Sequence, residues 1–205
     1  EARPITKFTN AESSPFGFVT ADDGSVVFAA ANDQSVRLWS VGATGGEPRS
    51  MTSGGSLAVN PRSVPGGVVY DRYDADSGFH VWRIDLDGSH ARMLTPNVAA
   101  QVADVARDGS IITFVQLDSE RAIWVMPANG GSSRSLGPKS NAGMISPDGS
   151  RILITRLTPG SDGLIRPTAE VVPAAGGAVL SSLPLPSQAT NHAWSHDGAS
   201  LTVID

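Results

Sequence analysis

Asp108-Gly109-Ser110-Ile111-Ile112-Thr113-Phe114-Val115-Gln116 is followed, after a short polar turn, by Ala122-Ile123-Trp124-Val125-Met126-Pro127-Ala128-Asn129-Gly130-Gly131, and these two runs decide how the chain folds. Both are rich in β-branched and aromatic residues, and both are bounded by Asp-Gly or Asn-Gly pairs, which supply the positive-φ positions that tight hairpins need. Neither alternates apolar with polar. A strand with one wet face alternates, so these two are buried on both faces. Flanked by Val102–Arg107 and Ser132–Leu136, they make a unit of four short strands.

The unit recurs. Trp39, Trp82 and Trp124 lie 43 and 42 residues apart, in Arg37-Leu38-Trp39-Ser40-Val41, His80-Val81-Trp82-Arg83-Ile84 and Ala122-Ile123-Trp124-Val125-Met126. A second column ends each unit's last strand: Phe8, Met51, Leu94, Leu136 and Leu183, spaced 43, 43, 42 and 47. Asp-Gly turns at Asp23-Gly24, Asp108-Gly109, Asp148-Gly149 and Asp197-Gly198 form a third column, with Val64-Pro65-Gly66-Gly67 in place of its missing member. Four strands per unit, a period near 43 and double-sided burial are what stacked propeller blades require, each sheet being covered by the next. No apolar 3.6-residue period sustains a helix of ten residues.

The expected architecture is therefore an all-β propeller with four complete blades, at about 11–52, 53–95, 96–137 and 138–183, in a single domain. A fifth blade is split between residues 4–9 and 184–205. Residues 4–9 match only an outer strand and residues 192–205 only a first and second strand, so this shared blade lacks its third. The chain opens Glu1-Ala2-Arg3. It reads as an excised piece of a larger propeller, or as a five-blade ring closed by an incomplete blade.

Composition narrows the function classes. Charged residues are 17% of 205, apolar residues 40%, and the net charge is −5. An acidic, charge-poor chain does not suit general nucleic-acid or anionic-membrane binding, and no apolar run is long enough to span a bilayer. Without Cys there is no disulfide framework and no thiolate metal site. Arg outnumbers Lys 13 to 2, the usage of a GC-rich bacterial genome.

Catalytic signatures are missing. Gly54-Gly55-Ser56-Leu57 and Gly130-Gly131-Ser132-Ser133 lack the closing Gly of a nucleophile elbow, and no phosphate-binding glycine loop is present. His192 and His196 are four apart, but along a strand that is about 13 Å, too far to share a metal. Asp71, Asp74 and Asp76 lack a calcium-loop rhythm and read as solvated loop carboxylates. The expectation is no metal, no cofactor and no catalytic residue. The Trp column reads as inter-blade packing. What remains is the polarity of the innermost strands, where Asn60, Arg62, Asp104, Arg107, Asn191 and His192 are the candidates for contacting a partner or ligand at the axial channel.

Three segments carry a family resemblance: Ala193-Trp194-Ser195-His196-Asp197-Gly198, Ile145-Ser146-Pro147-Asp148-Gly149-Ser150, and Ile123-Trp124-Val125-Met126-Pro127-Ala128-Asn129-Gly130-Gly131-Ser132. They resemble the WD-repeat-like propeller repeats of the TolB type, and similar repeats occur in the propellers of prolyl-oligopeptidase relatives. The resemblance spans residues 4–205, although the second unit lacks its Asp-Gly turn and the fourth has Ala169-Glu170-Val171 where Trp stands elsewhere. It implies a non-catalytic module that binds a protein or peptide partner in the periplasm or another extracytoplasmic space, as the sensing or docking part of a larger bacterial protein. A cytoplasmic setting is the alternative, and similar repeats also end bacterial receptor-like kinases and regulators. Two other functions fit the resemblance: a propeller gating a serine hydrolase whose catalytic domain lies elsewhere, and a small-molecule binder such as a sugar-binding or lyase propeller. Fold alone does not choose among them.

Overall fold

A computed structural model describes residue 6 and residues 15–32, 35–55, 57–159, 162–186 and 191–204, with only the backbone at positions 32, 141, 142, 191, 192, 203 and 204. The outer strand expected at residues 4–9 lies outside the described residues apart from Thr6. All described secondary structure is β-strand, turn or bend, and no described helix is long and apolar enough to cross a membrane.

The first sheet comprises β1 (Phe16–Thr20), β2 (Val26–Asn32), β3 (Ser35–Val41) and β4 (Arg49–Ser50). The second has β5 (Leu57–Val64), β6 (Gly67–Asp74), β7 (Gly78–Asp85) and β8 (Arg92–Met93). The third has β9 (Ala100–Val105), β10 (Ile111–Gln116), β11 (Ile123–Pro127) and β12 (Arg134–Ser135). The fourth has β13 (Ser140–Ile145), β14 (Arg151–Pro159), β15 (Ile165–Pro173) and β16 (Ser181–Pro184), and β17 (Asn191–Trp194) with β18 (Leu201–Ile204) makes a two-stranded fifth. Within each sheet the strands neighbour one another in chain order. This is a β-propeller of four four-stranded blades and a partial fifth.

The chain divides into two compact units, Glu1–Val102 and Ala103–Asp205, the division falling within β9. In the first unit, Val27, Ala29, Leu38 and Met51 of the first sheet pack against Ala58, Val68, Tyr70 and Ile84 of the second. In the second unit, Ile123, Val125 and Leu136 pack against Ile145, Ile152, Ile154 and Val172. Leu153 turns the other way, toward Trp194 and Leu201 of the fifth sheet. Successive side chains of β14 thus enter opposite cores, and Ile152, Leu153 and Ile154 are all 0% exposed. Each such burial contributes about 1.5–3 kcal/mol, so β14 holds cores on both of its faces.

Hairpin chemistry follows the glycine pattern. The carboxylates of Asp23, Asp87, Asp108 and Asp148 accept the amide of the serine two residues on, across Gly24, Gly88, Gly109 and Gly149, all at positive φ. Hydroxyls of Ser146 and Ser150, with the Ser150 amide, hold the Asp148 carboxyl down at about 2. Between β5 and β6, where no Asp-Gly pair stands, Gly66 supplies the positive φ, 71°, and a Cβ on the next residue, Gly67, would collide with the Ile84 carbonyl. Threonines after the outer-strand hydrophobes also have work to do, since Thr52 Oγ1 accepts the Leu38 amide at 3.1 Å and Thr95 Oγ1 the Val81 amide at 3.0 Å.

The Trp column is half-buried. Trp124 stacks on Phe114 at 6.4 Å, and the Arg72 guanidinium lies 4.5 Å from the centre of the Trp82 ring. Opposite Ile154, where register predicts a fourth Trp, stands Glu170, paired with Arg156.

Candidate functional site

Of the six polar residues picked out on the innermost strands, Asn60 and Arg62 belong to the first unit, and Asp104, Arg107, Asn191 and His192 to the second. Asn60 sits where the β5–β6 register shifts, at φ 56°. A bulge of this kind re-aims a side chain. Its Nδ2 donates to Asp71 Oδ2 at 3.0 Å, and the other oxygen of Asp71 accepts the Val102 amide at 2.7 Å.

Asp71 is therefore not the solvated loop carboxylate expected from its neighbours Asp74 and Asp76: it lies within β6 and is 1% exposed. Burial pushes its carboxyl up to about 6, partly offset by the Val102 amide, the Asn60 amide and the charge of Arg62. The continuous run Val68-Val69-Tyr70-Asp71 was the sequence signal that β6, buried on both faces, carries on through the aspartate.

In the second unit, Asp104 Oδ2 accepts the Ile145 amide at 2.8 Å, tying the first strand of one sheet to that of the next. Arg107 is exposed in the turn after β9, and Asn191 and His192 lie on β17 with side chains outside the described set. Among the described residues no three His, Asp or Glu side chains gather as a metal site would require.

A concavity lies on the fourth sheet. β14 and β15 run nine residues each, against six and five for β10 and β11, and their hairpin ends beyond Pro159 and before Leu164. A groove of about 600 Å³ opens beside it, lined by Thr158, Leu164, Ile165, Pro167, Pro184 and Leu185 among others. Leu164 is 64% exposed and Ile165 50%, so the wall is apolar and uncovered. Arg166 also lines the groove, and its guanidinium bonds both oxygens of Asp162, at 2.9 and 2.6 Å, which holds the Asp162 carboxyl below its ordinary value. Apolar walls, prolines that withhold amide donors and a fixed cation suit an extended peptide with apolar side chains better than a small polar molecule.

No family model and no curated protein matches the sequence. Solved structures do. TolB from Acinetobacter baumannii superposes with a TM-score of 0.59 at 17% identity, over 82% of this chain and 43% of that one. An oligogalacturonate lyase solved in complex with manganese gives 0.74 at 16% identity, over 98% of this chain and 64% of the lyase. A prolyl endopeptidase gives 0.69 at 18% identity, over 96% of this chain and 32% of the enzyme. The chain thus spans less than two thirds of the length of each. At such identities the likeness speaks to architecture, and what it shows is the fold of a TolB-like β-propeller.

Proposed function

We propose that the chain is a non-catalytic propeller module that docks an extended, apolar segment of a protein partner in the groove beside the β14–β15 hairpin. The observation that carries this reading is the pair Leu164 and Ile165, exposed at the tip of the longest hairpin and overhanging that groove. Exposing two large aliphatic side chains side by side brings no folding benefit, and a partner would recover about 1.5–3 kcal/mol for each one it buries. The resemblance of the repeats to TolB-type propellers supports the further proposal that the module is the docking or sensing part of a larger bacterial protein in an extracytoplasmic space. Asn60, Arg62, Asp104, Arg107, Asn191 and His192 remain proposed as polar contacts for a partner or ligand.

A second reading, a propeller gating a hydrolase domain, draws support from the match to the prolyl endopeptidase. The two differ in where binding lies. Peptides selected from a random library on the 205-residue chain are expected to carry spaced apolar residues and to lose at least about ten-fold in affinity (about 1.4 kcal/mol) on Leu164→Glu/Ile165→Glu. Both positions are exposed, so the variant keeps its fold, which circular dichroism checks. Selected peptides that bind the variant unchanged would overturn the groove as the docking site.

A further inference from the structure

Among the described residues, the non-glycine positions at positive φ are Asn60 at 56°, His90 at 51°, Arg121 at 45° and Lys139 at 55°. A side chain there costs free energy that glycine would avoid, so each calls for a compensating contact. Asn60 and His90 make theirs inside the fold, to Asp71 and to Asp85. Arg121 and Lys139 make none: both are exposed, and neither side chain forms a hydrogen bond or ion pair with a described residue. Two cations are thus held in strained backbone with nothing in the fold to hold.

The main chain sets them side by side. The Lys139 amide donates to the Glu120 carbonyl at 2.6 Å and the Ser140 amide to the Arg121 carbonyl at 3.1 Å, so the β10–β11 loop is bonded to the start of β13. The Lys139 carbonyl accepts the Leu157 amide at 2.9 Å, one residue before Thr158 of the groove. Thr158, Arg166 and Thr168 of the groove share, by register and alternation, the face of the fourth sheet that carries Ile152 and Ile154. That face packs against Ile123 of the third sheet, whose β10–β11 loop carries Arg121. The other cations on this face are matched, Arg156 by Glu170 and Arg166 by Asp162. The Asp118 carboxylate is turned into its own loop, accepting the amides of Glu120 and Arg121 and the side chain of Gln116. Glu120, exposed beside Arg121, is the neighbouring carboxylate that competes for the pair.

We propose that Arg121 and Lys139 receive a side-chain carboxylate of the segment docked in that groove, so that the partner carries Asp or Glu beside its apolar stretch. This rests on the groove being the docking site and adds the charge that the docked segment must have. Exposed charges of this kind select among partners more than they add affinity. The spacing follows from the sheet. From Ile165 on β15 to Lys139 on the far side of β14 is two strand spacings, about 10 Å, which extended chain crosses in about three residues.

A random-peptide library, displayed between flanking domains so that no chain terminus is presented, is selected in parallel on the 205-residue chain and on Arg121→Gly/Lys139→Gly. Glycine suits both backbones, so this variant should keep or raise the urea midpoint. Sequences selected on the natural chain are expected to place Asp or Glu about three residues from an apolar position. Those selected on the variant should keep the apolar positions and lose the acid. A selected acidic peptide should bind the variant about three- to ten-fold more weakly, and the difference should narrow at about 0.5 M salt. Its amide version, Asn for Asp or Gln for Glu, should bind both proteins alike, and Glu120→Gln should tighten the acidic peptide. Apolar selections without an acidic preference, or an acidic preference that persists on the variant, would overturn the carboxylate site and leave the groove standing. Peptides that keep their affinity for Leu164→Ser/Ile165→Ser, a change that adds no charge, would overturn the groove and this proposal with it.

Discussion

Asp71 places a carboxylate at 1% exposure with the Val102 amide on one oxygen and the Asn60 amide on the other. Two donors do not compensate for the water lost, and burial dominates, leaving the group near 6 against 3.8 in the unfolded chain. The sign of the linkage follows. A raised native value means that the contribution of Asp71 to stability is fully present below the unfolded value, is lost as pH climbs from about 4 to 6, and leaves the charged form disfavoured above that. A displacement of about two units is worth about 3 kcal/mol. The turn aspartates act oppositely, Asp148 being held down by Ser146 and Ser150, so the raw stability curve mixes the two trends. The difference in urea-unfolding free energy between the natural chain and Asp71→Asn isolates the buried group. Measured from pH 4 to 7, that difference should move against the natural chain by about 2.4 kcal/mol; a flat difference would refute the buried, raised carboxyl. The sequence supplied Asn60 as a candidate but not its partner, because burial of an aspartate depends on which strand lies over it, and β9 is 31 residues further on.

Between elements, Arg156 replaces what tryptophans do elsewhere. Glu170 holds the cross-strand place of Trp124, and the Arg156 guanidinium bonds Glu170, the Leu136 carbonyl at 2.7 Å and the Pro138 carbonyl at 3.1 Å. It ties β14 and β15 to the link between the third and fourth sheets. Arg156→Ala should cost about 2–3 kcal/mol, since it takes the charged partner from the half-buried Glu170 carboxylate and this donor from the Leu136 carbonyl, while the Pro138 carbonyl keeps the Ser140 hydroxyl. Arg166→Ala, at a solvent-exposed ion pair of better geometry, should leave the urea midpoint where it is. Equal effects of the two would contradict the tie. The repeat columns forecast most of this level: Asp-Gly turns, double-sided second strands and Thr52 or Thr95 after the outer hydrophobe are all local chemistry repeated at one period. Two features were visible only as irregularities. The last interval of 47 residues, against 42 and 43, marks the elongated β14–β15 hairpin that walls the groove. Leu183 matches its column in sequence but not in burial, because its cover depends on a strand from the next sheet rather than on its own neighbours.

For the molecule as a whole, stacked sheets make stability a sum of sheet terms and nearest-neighbour contacts. The first unit's core draws on the first two sheets, and the second unit's cores draw on the third, fourth and fifth. A perturbation confined to one should pass the other by. Gly67→Ala probes the first, since its Cβ would meet the Ile84 carbonyl and force β6 away from β7, at about 2–3 kcal/mol. Arg156→Ala probes the second. Neither position shares a hydrogen-bond partner with the other, and they lie in the second and fourth sheets. In the double variant the two losses should add within about 0.5 kcal/mol, the tolerance for independent sites. Urea unfolding of the four proteins, the natural chain, each single variant and the double, measures this directly. A coupling above about 1 kcal/mol of either sign would mean that strain at β6 is transmitted through the third sheet to β14, and the two units would then have to be treated as one cooperative body.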